Sequence, residues 1–290
     1  MSAGREKVWT VIGVLCSATE YFERRGVENP RGNAELLLAH VLECKRIDLY
    51  LEHDRPLAPE ERGPFKALIK RRTGGEPLQY IVGHTEFLGI EIRVGPGVLI
   101  PRPETETLAS EIVQVVEERP RQRIVDAGCG SGALAIFFGK RWPRAEVLAT
   151  DRSPRALDCT AENARRQSLE RVRCLAADLG GLPVPDRSVD LVVSNPPYVA
   201  SAEIATLPRD IRGFEPREAL DGGDDGLDLI RALIPEAARA LKPGGWLGIE
   251  VGAGQARSTA GLCEAAFDGP RVHRDLAGIE RVILARRKGI

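Results

Sequence analysis

The sequence predicts an α/β chain, a doubly wound sheet preceded by a small helical domain. Three observations carry this expectation. Beyond residue 120, short β-rich runs alternate with helical ones, the pattern of a parallel sheet with crossover helices. A glycine loop, Asp126-Ala127-Gly128-Cys129-Gly130-Ser131-Gly132-Ala133, separates the first of those runs from the helix after it. Before residue 85 the apolar residues recur at three and four, the helical spacing.

Taken in order, Val11, Val14, Leu15 and Ala18 mark one helical face, and residues 34–42 continue the pattern. Pro56 and Pro59 interrupt it. Ala58-Pro59-Glu60-Glu61 reads as the start of another helix and Thr73-Gly74-Gly75-Glu76-Pro77 as its stop. Residues 87–94 and 98–100 read as short β pieces separated by Gly95-Pro96-Gly97, a hairpin or an extended linker. Pro101-Arg102-Pro103-Glu104-Thr105-Glu106 opens a helix, because proline suits a first turn and carboxylates favour the positive end of the helix dipole. Strands follow at residues 123–126, 146–151, 172–177, 189–194 and 246–251, with two closing strands around Val272 and Val282. Helices are expected to about Trp142, to about Gln167, over 229–241 before Pro243-Gly244-Gly245, and near 253–267. The expected organisation is a helical domain over residues 1–85, a linker over 86–102 and the sheet domain over 103–290, with no internal repeat.

A chain of 290 residues, 43% hydrophobic and 29% charged, folds around a sizeable core and is too apolar for disorder. Its formal charge of −1 provides no general attraction for nucleic acid. One basic run, Lys66 with Lys70-Arg71-Arg72, reads as a solvated helix end. The six cysteines contain no C-x-x-C pair and the four histidines are scattered, so neither a zinc site, a disulfide framework nor a Ser-His-Asp triad is indicated. Metal-free chemistry is therefore expected. The N-terminus, residues 1–7, shows no signal-peptide core, and no apolar run reaches the ~18 residues of a membrane span. These features point to a cytoplasmic enzyme.

The glycine loop lets a ligand approach backbone that side chains would otherwise cover. Asp151 ends the next strand, where an acidic side chain can accept hydrogen bonds from two ribose hydroxyls, so a nucleoside ligand fits both features. Because the loop also satisfies G-x-G-x-x-A, it does not by itself separate a nicotinamide cofactor from S-adenosyl-L-methionine. Two carboxylates favour the methyl donor: Asp126, placed to meet its amino-acid end, and Asp178, placed to meet an adenine amino group.

The fourth strand runs into Asn195-Pro196-Pro197-Tyr198, which puts Asn195 at the carboxyl edge of the sheet, where open α/β proteins bind ligands. An amide nitrogen is a poor nucleophile, since its lone pair is delocalised. A site that methylates one must hold its N–H groups with acceptors that localise the pair and aim it. The Asn195 side-chain oxygen and the Pro196 carbonyl are candidate acceptors. The two prolines stiffen the backbone, and Tyr198 offers a flat wall for a planar group.

These residues resemble the protein-(glutamine-N5) methyltransferases that modify class I peptide chain release factors. The resemblance runs through residues 75–83, Phe87-Leu88-Gly89, Leu99-Ile100-Pro101-Arg102-Pro103-Glu104-Thr105-Glu106, the glycine loop, Asn195-Pro196-Pro197-Tyr198 and Phe214-Glu215-Pro216-Arg217-Glu218-Ala219-Leu220. It implies a helical N-terminal domain that docks the release factor, a hairpin linker and a seven-stranded Rossmann-like S-adenosylmethionine-dependent methyltransferase domain. It implies as substrate the glutamine of the Gly-Gly-Gln tip. Position by position, it assigns Gly128, Cys129, Gly130, Ser131 and Gly132 to the donor, Asp151 to its ribose, Asp178 with Leu179 to its adenine, and Asn195, Pro196, Pro197 and Tyr198 to the glutamine, with Asn195 also beside the donor. Some relatives carry an aromatic residue where this chain has Leu179, which leaves only a backbone contact to the adenine there. Ile100 to Arg102 either close the far side of the pocket or pack as a buried linker, Glu250 reads as a buried structural carboxylate at a family position, and residues 214–223 read as a mobile flap.

Amino-methylation of a flipped nucleic-acid base uses the same tetrapeptide but calls for a basic groove or a target-recognition domain. Ribosomal protein glutamine is a further alternative substrate. A nicotinamide oxidoreductase needs a hydride-handling His, Lys or Tyr, for which only Tyr198 is near. A non-catalytic binding module is disfavoured because every chemical position is intact. The partner expected is a class I release factor, met by a monomer, with no stable nucleic acid and no membrane.

Overall fold

The computed structural model describes residues 8–117 and 122–289. The N-terminal residues 1–7, read above for a signal peptide, lie outside the described residues. Two compact units emerge, one comprising the chain through Gly83 together with Arg209–Phe214, the other the remainder.

The first unit is helical: α1 (Val11–Arg24), α2 (Pro30–Leu42), α3 (Asp48–Leu51), α4 (Pro59–Thr73) and α5 (Leu78–Val82). Thr10 starts α1 by accepting the Gly13 N–H at 3.2 Å, and Asn29 starts α2 by accepting that of Gly32, with Pro30 in the first turn. The predicted face Val11, Val14, Leu15 and Ala18 is buried, joined by Phe22 and packed with Leu37, Leu38 and Phe65. Each of the larger side chains contributes about 1.5–3 kcal/mol on leaving water. Glu35 is buried in the same unit, and its charge is compensated by Arg31 at 2.6 Å, Arg46 at 2.5 Å and the Tyr50 hydroxyl. α3 and α5 went unread, because four or five residues are too few to show a period. The basic run caps α4: Arg71 pairs with Glu76 at 2.6 Å, and Arg72 donates to Asn33 at 2.8 Å and to the Glu76 carbonyl at 3.0 Å.

The second unit opens with a hairpin of β1 (His84–Phe87) and β2 (Ile90–Arg93), with Phe87 paired to Ile90. Its turn lies at Leu88-Gly89, both with positive φ (48° and 75°), and not at Gly95-Pro96-Gly97 as expected. The alternation Leu88, Ile90, Ile92, Val94 starts on the turn residue itself, so periodicity does not mark the fold-back; a type I′ turn, with φ > 0 at both central positions, matches the strand twist. Residues 98–100, expected as a β piece, form no strand. They are anchored singly: the Ile100 N–H donates to Glu215 at 3.0 Å, and Arg102 pairs with the same carboxylate.

The sheet domain then runs α6 (Pro103–Val115), β3 (Arg123–Ala127), α7 (Ala133–Arg141), β4 (Glu146–Asp151), α8 (Pro154–Arg166), β5 (Val172–Ala176), β6 (Val189–Ser194), α9 (Arg209–Phe214, which belongs to the first unit), α10 (Asp228–Ala240), β7 (Leu241–Glu250), α11 (Ala256–Cys263), β8 (Phe267–Arg274) and β9 (Glu280–Arg287). The seven strands lie in the order β5-β4-β3-β6-β7-β9-β8, parallel except for β9 against β7 and β8 against β9. This is the seven-stranded Rossmann-like α/β sheet. Two predicted bounds move. The helix expected to reach residue 267 stops at Cys263, because Phe267 is a core residue paired with Arg287 at the start of β8. Pro243-Gly244-Gly245 lies inside β7, where pairing with β6 is irregular between Val189 and Leu191.

α10 is amphipathic, burying Ile230, Leu233, Ile234 and Ala237 in a cluster with Val192, Leu247 and Ile249 of the central strands. From β3 the chain winds one way through β4 and β5, and from β6 the other way through β7. The carboxyl ends of β3 and β6 therefore flank a topological switch point, where open α/β sheets leave a crevice. The Ser194 hydroxyl donates to the Ala127 carbonyl at 2.6 Å and ties those two ends together.

Candidate active site

A cleft opens at the switch point. Gly128, Gly130, Asp151, Leu179 and Asn195, from four separate strand ends, all face it.

One half is built from backbone. Gly128, Gly130 and Gly132 all have positive φ (75°, 55° and 82°), so the chain turns from β3 into α7 through conformations that side chains resist. At Gly132 a Cβ would also sit 2.7 Å from the Thr160 methyl. The Gly128 and Cys129 N–H groups donate to the Thr150 carbonyl, and that of Gly130 to Asp151 at 3.0 Å. Asn163, buried on α8, donates to the Ser131 carbonyl at 2.8 Å and exchanges bonds with the backbone of Arg93. The loop is thus held from outside as well as by its own conformation. Asp151 also accepts the Ser153 N–H at 2.8 Å, which leaves each carboxylate oxygen a lone pair for a ribose hydroxyl.

Asp126 is only 1% exposed; one carboxylate oxygen accepts the Ala135 N–H at 2.9 Å, satisfying an orphan donor in the first turn of α7. Its other oxygen is buried and has no partner among the described residues. Burial, offset in part by the Ala135 bond and reinforced by Asp151, pushes this carboxyl up to about 7. An orphaned carboxylate oxygen on the cleft wall fits a cationic ligand group. A glycine loop, a ribose-binding carboxylate and an anion beside them suit the nucleoside and amino-acid ends of S-adenosyl-L-methionine together.

Just beyond β5 Asp178 accepts the Leu179 N–H at 2.9 Å, so the backbone donor expected to reach an adenine is already engaged locally. Leu179, 7% exposed, supplies an apolar wall against Gly128. Cys129 is buried, its sulfur 3.4 Å from the Thr160 hydroxyl, and burial lifts its thiol well above the usual range.

The other half is built from side chains far apart in sequence. Asn195 lines the cleft, and its amide nitrogen donates to the Thr105 hydroxyl on α6 at 3.0 Å. Thr105 donates in turn to Glu250 at 2.6 Å, and the Tyr198 hydroxyl donates to the other oxygen of Glu250 at 3.1 Å. Tyr198 thus has a partner behind the cleft, its ring packed against the central core. Pro197 faces the cleft and Pro196 is buried. Burial and the Glu250 carboxylate both push the Tyr198 phenol upward. The loop after Tyr198 is fixed by Gln255, which donates to the Tyr198 carbonyl at 2.9 Å.

Of Ile100 to Arg102, expected to close the pocket's far side or to pack as a buried linker, Pro101 faces the cleft, as does its neighbour Leu99, whereas Ile100 is buried and Arg102 is bound to Glu215. The segment read as a flap is stitched down: Val199 and Ser201 donate to the carbonyls of Leu220 and Gly223, and Gly222 donates back to that of Val199. The sequence reads Thr105 only as part of a helix start and of the run shared with the family, with no role of its own, and Asn163 not at all. Neither sits in a motif that names a partner, and the partners lie 90 and 70 residues away. Among the described residues no group of three or more His, Cys, Asp or Glu is placed to hold a metal ion, and no helix is long and apolar enough to cross a membrane.

Residues 14–83 match the PrmC N-terminal domain and residues 105–208 the methyltransferase small domain. A release factor glutamine methyltransferase of Geobacter sulfurreducens is 40% identical over 283 residues, 97% of this chain and 98% of the relative. One of Moorella thermoacetica is 42% identical over 282 residues, 96% of this chain and 99% of the relative. Among solved structures, a methyltransferase from Pyrococcus furiosus superposes on 70% of this chain and 91% of its own with a TM-score of 0.52 at 19% identity, a likeness of fold. With its sheet, its cleft and its near full-length likeness to these relatives, the chain belongs to the family of release factor glutamine methyltransferases.

Proposed function

We propose that this protein transfers the methyl group of S-adenosyl-L-methionine to the side-chain amide nitrogen of the glutamine in the Gly-Gly-Gln tip of class I peptide chain release factors. One observation supports this reading above the rest. Asn195 stands at the switch-point cleft with one N–H of its amide donated to Thr105 and no donor among the described residues on its oxygen, which suits that oxygen as an acceptor for a ligand N–H.

The donor's place is the glycine loop from Gly128 to Gly132, with Asp151 on its ribose, Asp126 near its amino-acid end, and Asp178 with Leu179 walling the base. Bound there, it supplies a methyl carbon activated by a sulfonium. The rest is positioning by this chain. The Asn195 oxygen and the Pro196 carbonyl, to which nothing donates among the described residues, accept the two N–H groups of the glutamine amide and draw its lone pair onto nitrogen. Pro196 and Pro197 keep the two acceptors at a set spacing. The nitrogen so held would take the methyl group that the donor's sulfonium would supply. The surplus proton passes to water, since an N-protonated amide is a strong acid, and no general base is required. The helical first unit docks the release factor, whose binding energy helps position a poor nucleophile. The enzyme acts in the cytoplasm as a monomer.

The test is incubation with labelled S-adenosyl-L-methionine and an intact class I release factor, followed by peptide mapping. Label on the Gly-Gly-Gln glutamine, lost when that glutamine is replaced and much reduced on a short peptide, is expected. Label on ribosomal protein or nucleic acid in preference to the release factor overturns the proposal.

A further inference from the structure

We propose that Thr105 and Glu250 are positioning residues that decide which way round the Asn195 carboxamide is held. This rests on the reading above, in which the Asn195 oxygen is the acceptor.

A carboxamide is nearly symmetric in shape, so the cleft by itself does not dictate whether its oxygen or its NH2 faces the ligand. The distinction is chemical and must come from a neighbour. Asn195's neighbour is a hydroxyl, which can accept or donate and so carries no preference of its own. The preference is imposed one step back. Glu250, fully buried at the end of β7, is acceptor-only when ionised, and its two oxygens take the Thr105 hydroxyl at 2.6 Å and the Tyr198 hydroxyl at 3.1 Å. Thr105 has one hydroxyl hydrogen, and Glu250 holds it. Toward Asn195 it can only accept, which selects the NH2 at 3.0 Å and turns the oxygen away, to the cleft. A carboxylate that merely fastened α6 to β7 would need no such relay into the loop.

Protonation reverses the logic. A neutral Glu250 donates to Thr105, Thr105 then donates to Asn195, and the carboxamide flipped by half a turn satisfies that bond. The flipped group presents N–H to a substrate N–H. The groups acting on Glu250 are Thr105 and Glu104 from α6, Tyr198 from the loop after β6 and Arg281 from β9. Burial dominates, Glu104 adds to it, and the two hydroxyls and Arg281 oppose; the carboxyl is pushed up to about 7. Transfer therefore falls as pH drops through that value.

The experiment measures kcat, donor affinity and thermal unfolding with labelled S-adenosyl-L-methionine and intact release factor. It compares the wild type with Thr105→Ser, Thr105→Val and Glu250→Gln between about pH 6 and 9. Thr105→Val is expected to lower kcat about 100-fold with donor affinity unchanged, while Thr105→Ser, which keeps the hydroxyl, stays within about threefold of wild type. Glu250→Gln is expected to lower kcat, to lose the acid limb near neutrality, and to unfold at pH 8 no earlier than wild type, because a buried charge has been removed. Wild-type kcat in Thr105→Val, or equal loss in both Thr105 variants, overturns the relay. An acid limb unchanged in Glu250→Gln overturns Glu250 as its source. If the wild type itself leaves the release factor unlabelled, the underlying reading fails instead.

Discussion

The two halves of the cleft are held by different means. The donor half is a turn of main chain: three glycines in left-handed conformations, two amides on the Thr150 carbonyl and one on Asp151. The acceptor half is a relay of side chains from α6, the loop after β6 and β7, spanning 90 residues from Asn195 to Thr105 and 145 from Thr105 to Glu250. Backbone conformation suits a ligand that must be gripped along its length, since amides cannot rotate away. A side-chain relay suits a ligand that must be oriented at one atom, since a hydrogen-bond direction can be set by a distant charge. The first kind of site fails by steric strain and the second by misdirected polarity.

Variants can break each half separately. The largest effect is expected from Asn195→Ala, which removes an acceptor and leaves the glycine loop intact: kcat falls about 10³-fold while donor affinity by calorimetry stays within a few fold. A comparable loss of donor affinity would mean that the halves are not independent.

Gly132→Ala comes next and should strike the donor half alone. The added methyl meets a positive φ of 82° and the Thr160 side chain at 2.7 Å, a strain of about 1–3 kcal/mol. Thermal unfolding should drop by about 5 °C and donor affinity by about tenfold. Normal values in both would show that the loop tolerates relaxation.

Asp126→Asn sharpens the contrast by its pH dependence. The Asp126 carboxyl is raised by burial from 3.8 to about 7 in the folded chain, so the native state holds the proton more tightly than the unfolded one. The associated stability is present below about 3.8 and is lost as pH rises through about 7. Glu250 acts with the same sign over an overlapping window, from 4.5 to about 7. The variant should therefore lose part of the wild type's decline in unfolding temperature across that range, keep the part due to Glu250, and bind the donor less tightly. An unchanged decline would move the buried cost to another group.

The same contrast explains how much could be read in advance. The glycine loop, Asp151 and Asn195-Pro196-Pro197-Tyr198 are contiguous or follow a strand end, so local pattern marks them, and all but Ala127, Gly132, Pro196 and Tyr198 face the cleft. Tyr198 looked like a wall for a planar ligand, and what periodicity could not show is the carboxylate behind its hydroxyl. Leu88-Gly89 was missed as the hairpin turn for the converse reason: the alternation from Leu88 to Val94 includes the turn residue, and its left-handed φ angles leave no trace in a period-two pattern.

By itself the sequence determined the alternation that builds the parallel sheet, the glycines that turn the donor loop, and the tetrapeptide that puts a carboxamide at the sheet's edge. Each depends on covalent neighbours, through side-chain period or permitted φ. The tertiary structure alone decided that Glu250 faces Thr105 and Tyr198, that Thr105 faces Asn195, and that Asn163 braces the glycine loop. Those pairings arise when β7, α6 and α8 pack around the switch point. Hydrogen-bond direction is a property of the assembled neighbours, and no single one of them carries it.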